Sequence, residues 1–248
     1  ADHLTFDMQV DVANAMGYRD HAGRRAVEHF MQDYFRHATR VGELTRILLV
    51  ALEADNTKQE PALLGLFKRR RRVRAPYTER QGRLDVANED AFLGTPLNLL
   101  GIFEEALRTG LLLHPHAMRL LAANRHLIDR NLRENPEAAK LFMGLLLKHG
   151  NPERALRRMN ELEVLSAFIP EFAPIVAMMQ FNMYHSYTVD EHTIQVISHL
   201  AQIERGELVE ELPLASAILR KGINRRVLYV ALLLHDIGKG RPEDHSVL

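Results

Sequence analysis

Apolar residues recur at three- and four-residue steps along most of this chain, the pattern of helices that each bury one face. The plainest case is Val27, Phe30, Met31, Tyr34, Ala38, Val41 and Leu48. It predicts a long amphipathic helix over about 22–53, ended by Asp55-Asn56 with Pro61 beyond. Pro96 opens another over about 97–111, which Gly110 helps to end. His114-Pro115 starts the next, through Ile128. Pro136 and Pro152 sit where first-turn prolines are tolerated and predict helices over about 136–149 and 152–164. Pro170 and Pro174 punctuate the approach to the following helix.

One stretch breaks this rhythm. From Pro76 to Asp90 there is no helical period, and residues 73–77 and 83–86 flank Gln81-Gly82. Two short runs around such a pair predict a β-hairpin. No period of 20–50 residues repeats, which excludes a solenoid. The expected fold is mainly α, a helical connector with a small β-hairpin followed by the front of a helical bundle. Three parts are expected: residues 1–60, 61–180 and 181–248, with the last boundary near 181–186.

Composition narrows the chemistry. Lys+Arg and Asp+Glu are both 32, so the net charge is zero, which argues against nucleic-acid binding through bulk positive charge. Cysteine is absent, so a metal would be held by His and carboxylates, and disulfides are excluded. No run of 18 or more apolar residues occurs, so no membrane partner is expected and the cytoplasm is the expected compartment. The chain begins at Ala1 without Met and stops at Leu248 just after a motif-rich stretch, and reads as a piece of a longer protein.

That stretch carries the chemistry. Thr188 followed by Glu191 is a capping box, so a helix should begin at Val189, with His192 in its second turn. Val189, Val196 and His199-Leu200 share roughly one face, which would turn His192 inward. Downstream, an apolar run from Val227 ends in His235-Asp236 and then Gly238. An ionisable pair at the end of so apolar a helix is costly unless something pairs with it, and a divalent metal is an efficient partner. Imidazole and carboxylate together can hold an ion that activates water and clamps phosphoryl oxygens. Lys239 follows at once and would steady a substrate phosphate as a point charge. A lone His-Asp doublet among 13 histidines means little. The set of His192 on a capped helix, the doublet closing an apolar helix, and Ile237-Gly238-Lys239 after it carries the reading.

These residues resemble the HD superfamily of metal-dependent phosphohydrolases, with His192, His235 and Asp236 in the ligand roles and Mg²⁺ or Mn²⁺ as cofactor. Three longer runs are similar, more narrowly, to the bifunctional uridylyltransferase/uridylyl-removing enzymes of bacterial nitrogen control: residues 186–193, 235–241 and 244–248. Residues 33–38, residues 96–100 and His114-Pro115 are similar to the same family. The resemblance implies a bifunctional enzyme that uridylylates the PII signalling protein with UTP and hydrolyses uridylyl-PII to release UMP. It also implies glutamine sensing by domains outside this chain. By the same resemblance the bundle is of HD type and residues 1–60 are helices that follow a nucleotidyltransferase core. Two departures stand out. The Gly-Ser pair with spaced carboxylates of the transferase is absent, and so is the final HD aspartate. Alone, the segment is expected to be incomplete for both activities.

Weaker signals complete the picture. His245 stands as a substrate contact, an extra ligand or a plain loop histidine. The run Lys68–Arg72 reads first as a solvated surface loop and second as a dock for an acidic partner or phosphates. His114 and His116 read as surface or capping residues, and Met178, Met179 and Met183 as core filler. Two other functions remain open at this stage: another HD-family nucleotide phosphodiesterase or hydrolase, and a non-catalytic helical connector.

Overall fold

A computed structural model describes residues 4–21, 23–56, 72–179 and 187–240. In chain order its helices are α1 (Phe6–Ala15), α2 (Ala26–Asn56), α3 (Glu89–Leu93), α4 (Asn98–Thr109), α5 (Pro115–Ala123), α6 (Arg130–Arg133), α7 (Pro136–Leu147), α8 (Pro152–Glu161), α9 (Val164–Phe168), α10 (Val189–Arg205), α11 (Pro213–Arg220) and α12 (Arg225–Leu234). The strands β1 (Tyr77–Arg80) and β2 (Arg83–Val86) lie between α2 and α3. The mainly α expectation with one hairpin holds. No helix among the described residues is long and apolar enough to cross a membrane. The chain divides into two compact units, Ala1–Val41 with Ile169–Leu248, and Gly42–Phe168.

In the first unit, Ala13 of α1 and Val27, Phe30 and Met31 of α2 form a small core with Tyr18, Phe35 and Met179 against it. Helix α2 starts at Ala26 rather than near 22. The reason is local: His21 and Arg24 bridge backbone to backbone, and the Asp20 carboxylate accepts from the Ala26 N–H at 2.7 Å. That bond satisfies one of the amides left free at a helix start. Gln32 is buried and donates through Nε2 to the carbonyls of Pro174 and Val176, at 3.1 and 2.9 Å. It thereby ties α2 to the 3-10 turn Pro170–Ile175. Met178 is buried in this unit, as core filler should be.

The second unit is built around α4. Leu99, Leu100, Ile102 and Phe103 are almost wholly buried, and so are Leu145 and Leu146 of α7, Leu156 and Met159 of α8 and Leu165 of α9. Gly110 ends α4 in the left-handed conformation at φ 78°, as its position predicted. The hairpin turns at Gln81 and Gly82, both at positive φ (51° and 70°), which is the twist a two-residue loop needs. That turn fixes the register Tyr77↔Val86 to Arg80↔Arg83. The first strand therefore lies at Tyr77–Arg80 and not at 73–77. Strand β2 also exchanges backbone bonds with the following segment, Leu84 N–H to Leu112 O and His114 N–H to Leu84 O, both 2.8 Å. Helix α5 is shorter than predicted, ending at Ala123 before a 3-10 turn at Arg125–Leu127.

Candidate metal centre

Helix α10 begins at Val189, as the Thr188 and Glu191 spacing predicted. The expected capping box is not formed, however. Thr188 is the N-cap with extended backbone, but its side chain makes no capping bond. Asp190 and Glu191 place negative charge in the first turn, where the helix dipole favours it. The buried face is Val189, Asp190, Thr193, Ile194, Ile197, Leu200 and Ala201. His192 lies at the flank of that face and is half-buried, together with Val196, while His199 is exposed. The inward tilt of His192 is thus smaller than the sequence suggested, because the face centres one residue later.

Helix α12 is capped at its start by Asn224, whose side chain accepts from Val227 N–H at 3.3 Å. It ends at Leu234, with His235 at the C-cap and the 3-10 turn Ile237–Gly240 after Asp236. Of its apolar residues, Tyr229 and Leu233 are buried, whereas Val227 is exposed. At the other end of α10, Glu204 accepts from Arg225 (Nε 2.5 Å, Nη2 2.9 Å) and from the Tyr229 hydroxyl at 2.8 Å. Burial opposes ionisation of Glu204, yet these donors hold its carboxyl below the ordinary carboxylate range. Burial and the Glu204 carboxylate push the Tyr229 phenol well up, so it stays a donor. Glu204 joins the end of α10 to the start of α12. The two helices run antiparallel, and the end of α12 meets the start of α10.

There His192, His235 and Asp236 come together. One ligand atom from each lies within 4.8 Å of the others. The rings of His192 and His235 are 5.9 Å apart. Among the described residues this is the group of three or more His, Asp or Glu side chains whose ligand atoms converge. Asp236 is 7% exposed. His235 donates from Nδ1 to the Leu232 carbonyl at 2.7 Å. A carbonyl only accepts, so the proton of a neutral His235 sits on Nδ1 and Nε2 carries the lone pair. That Nε2 faces Asp236 Oδ2 at 3.3 Å. A carboxylate buried this deeply needs a positive charge beside it. Lys239 provides one, its Nζ lying 2.9 Å from the same Oδ2.

Lys239 thus reaches the site, but as the counter-ion of Asp236. His245 lies outside the described residues, as do Met183 and residues 68–71 of the basic run.

A second polar cluster gathers His114 and His116 on Asp85. Asp85 of β2 is 1% exposed, with His116 Nδ1 at 2.8 Å and His114 Nδ1 at 3.3 Å. His116 Nε2 lies 2.9 Å from Glu89, and His114 Nε2 lies 3.1 Å from Gln81 Oε1. His114 does cap α5, accepting from His116 N–H, but it is buried rather than on the surface. Only the cap was legible locally. Asp85 is about 30 positions away, and no periodicity pairs it with these histidines.

Residues 189–248 match the HD domain model, so the part of the chain that holds this group is similar to HD domains. Residues 1–49 match the model described as GlnD PII-uridylyltransferase, and residues 77–168 the one described as Uridylyltransferase GlnD third domain. The chain is 70% identical over 247 residues to the bifunctional uridylyltransferase/uridylyl-removing enzyme of Ruegeria pomeroyi, and 68% identical over 247 residues to that of Cereibacter sphaeroides. Each alignment covers 100% of this chain and 27% of the relative. The chain is similar along its length to a part of these curated relatives and spans about a quarter of their length. No solved structure matches it.

Proposed function

We propose that this chain carries the front half of a uridylyl-removing centre. There a phosphodiester joining UMP to a tyrosine of a PII-type signalling protein is hydrolysed. The observation that carries this reading is the convergence of His192, His235 and Asp236 from two antiparallel helices. The donor set fits a divalent ion: the carboxylate suits Mg²⁺ or Mn²⁺, and the two imidazoles tilt the preference toward Mn²⁺. When bound, such an ion supplies Lewis acidity toward phosphoryl oxygens and activation of a water. His235 is held for that task by the Leu232 carbonyl, which fixes its tautomer and leaves Nε2 toward Asp236. His192 is presented by the first turns of α10. Lys239, a point charge beside the site, steadies the phosphate, and His245 is a further substrate contact. Overall, water oxygen attacks phosphorus, the bond from phosphorus to the tyrosine oxygen breaks, and UMP and the free hydroxyl leave.

The matches over 1–49, 77–168 and 189–248 support three working parts: residues 1–60 behind the transferase core, 61–180 as connector, and 181–248 as the HD front. UTP and glutamine would act through other parts of the whole protein, which works in the cytoplasm.

The test is UMP release from uridylylated PII by the whole protein carrying His192→Ala. Release should fall by at least the roughly ten- to hundredfold that losing an outer-shell partner of a metal ligand costs, while uridylyl transfer from UTP persists. Undiminished release would remove His192 from the centre.

A further inference from the structure

Within the centre read above, the least expected contact is the ion pair between Lys239 and Asp236. Asp236 is buried and its Oδ2 lies 3.3 Å from His235 Nε2. A buried carboxylate is a poor arrangement without a cation beside it. The ammonium of Lys239 meets that need at 2.9 Å. The pair is built in. Lys239 lies three residues after Asp236, in the turn Ile237–Gly240, where its own N–H bonds the Asp236 carbonyl at 3.0 Å. Its side chain is 17% exposed, so this is no wandering surface lysine.

We infer that Lys239 is a tethered stand-in for the metal: its ammonium neutralises Asp236 while no ion is bound, and an incoming divalent ion displaces it from Oδ2. The inference rests on the reading of His192, His235 and Asp236 as ligands. It adds that Lys239 competes with the ion it later works beside. The arrangement keeps the buried carboxylate paired in either state. It also makes the phosphate-directed ammonium available only once the ion has arrived. A site built this way trades some metal affinity for a preformed pocket, and it couples metal arrival to phosphate capture.

Two readouts on the 248-residue chain test this. Mn²⁺ affinity is read from the electron-paramagnetic-resonance signal of free Mn²⁺, for wild type, Lys239→Met and Lys239→Arg. Acylation of Lys239 by a small amine-reactive ester is read by mass spectrometry with and without Mn²⁺. Displacement predicts that Lys239→Met binds Mn²⁺ about three- to tenfold more tightly than wild type, while Lys239→Arg does not. It also predicts that Mn²⁺ raises acylation of Lys239 in wild type, because a paired ammonium is released. Equal or weaker Mn²⁺ binding by Lys239→Met overturns the inference and leaves the metal centre standing. So does unchanged acylation when Mn²⁺ is bound. If neither wild type nor Lys239→Met binds Mn²⁺, the metal centre itself fails and this inference with it.

Discussion

His116 holds one carboxylate on each ring nitrogen, Asp85 on Nδ1 and Glu89 on Nε2. Only the doubly protonated ring can donate to both. These two hydrogen bonds raise its pKa above the ordinary value, whereas burial lowers that of His114 beside it. Arg80 and Arg83 also face the cluster and oppose the charge on His114. For His116 the folded-state pKa exceeds the unfolded one. Its stabilisation is therefore fully present below about pH 6.5 and is lost as pH rises through the raised pKa. Histidine ring titration by nuclear magnetic resonance should place the midpoint of His116 above and that of His114 below that of an exposed histidine. Equal midpoints would contradict the geometry. Gly101 supplies a second residue-scale test. A Cβ there would run into the Tyr77 hydroxyl, which donates to the Asn98 carbonyl at 3.3 Å. Gly101→Ala should destabilise the chain by about 1–3 kcal/mol in urea denaturation, the usual cost of overpacking a core. No loss would mean that the Tyr77 ring yields freely.

At the scale of elements, the centre depends on how α10 and α12 are held. Glu204, Arg225 and Tyr229 lock the ends opposite the centre. Removing the hydroxyl by Tyr229→Phe takes one donor from a charged acceptor in a largely buried place. The expected cost is about 1.5–3 kcal/mol by denaturant unfolding, since hydrogen bonds to charged groups lie in that range. An unchanged midpoint would mean that Arg225 alone suffices. The helices, their prolines and Gly110 were legible because their signals are local: period, cap and stop all lie within a few residues. The start of α2 was not, since it depends on Asp20 reaching Ala26. The first strand was misplaced for a related reason, because the Gln81-Gly82 turn sets the register and the apolar count does not. The Glu204 lock was invisible, since Glu204 lies 21 and 25 positions from Arg225 and Tyr229.

For the whole molecule, two short motifs far apart in sequence were enough to pick out three side chains whose ligand atoms converge. The helices between them were needed only to bring the motifs together. His192, His235 and Asp236 were legible because an ionisable doublet at the end of an apolar helix demands a partner. The counter-ion role of Lys239 was not legible, because sequence puts Lys239 near the site without saying which atom it meets. The same unit also carries the match to the HD domain. The account turns on one property, that this group holds a divalent ion. Calorimetric titration of Mn²⁺ into the 248-residue chain, beside a His235→Ala, Asp236→Ala double variant of unchanged circular dichroism, measures it most directly. The account predicts saturable binding by the wild type and a loss of about a hundredfold or more in the variant. Equal affinity in the two proteins would contradict it.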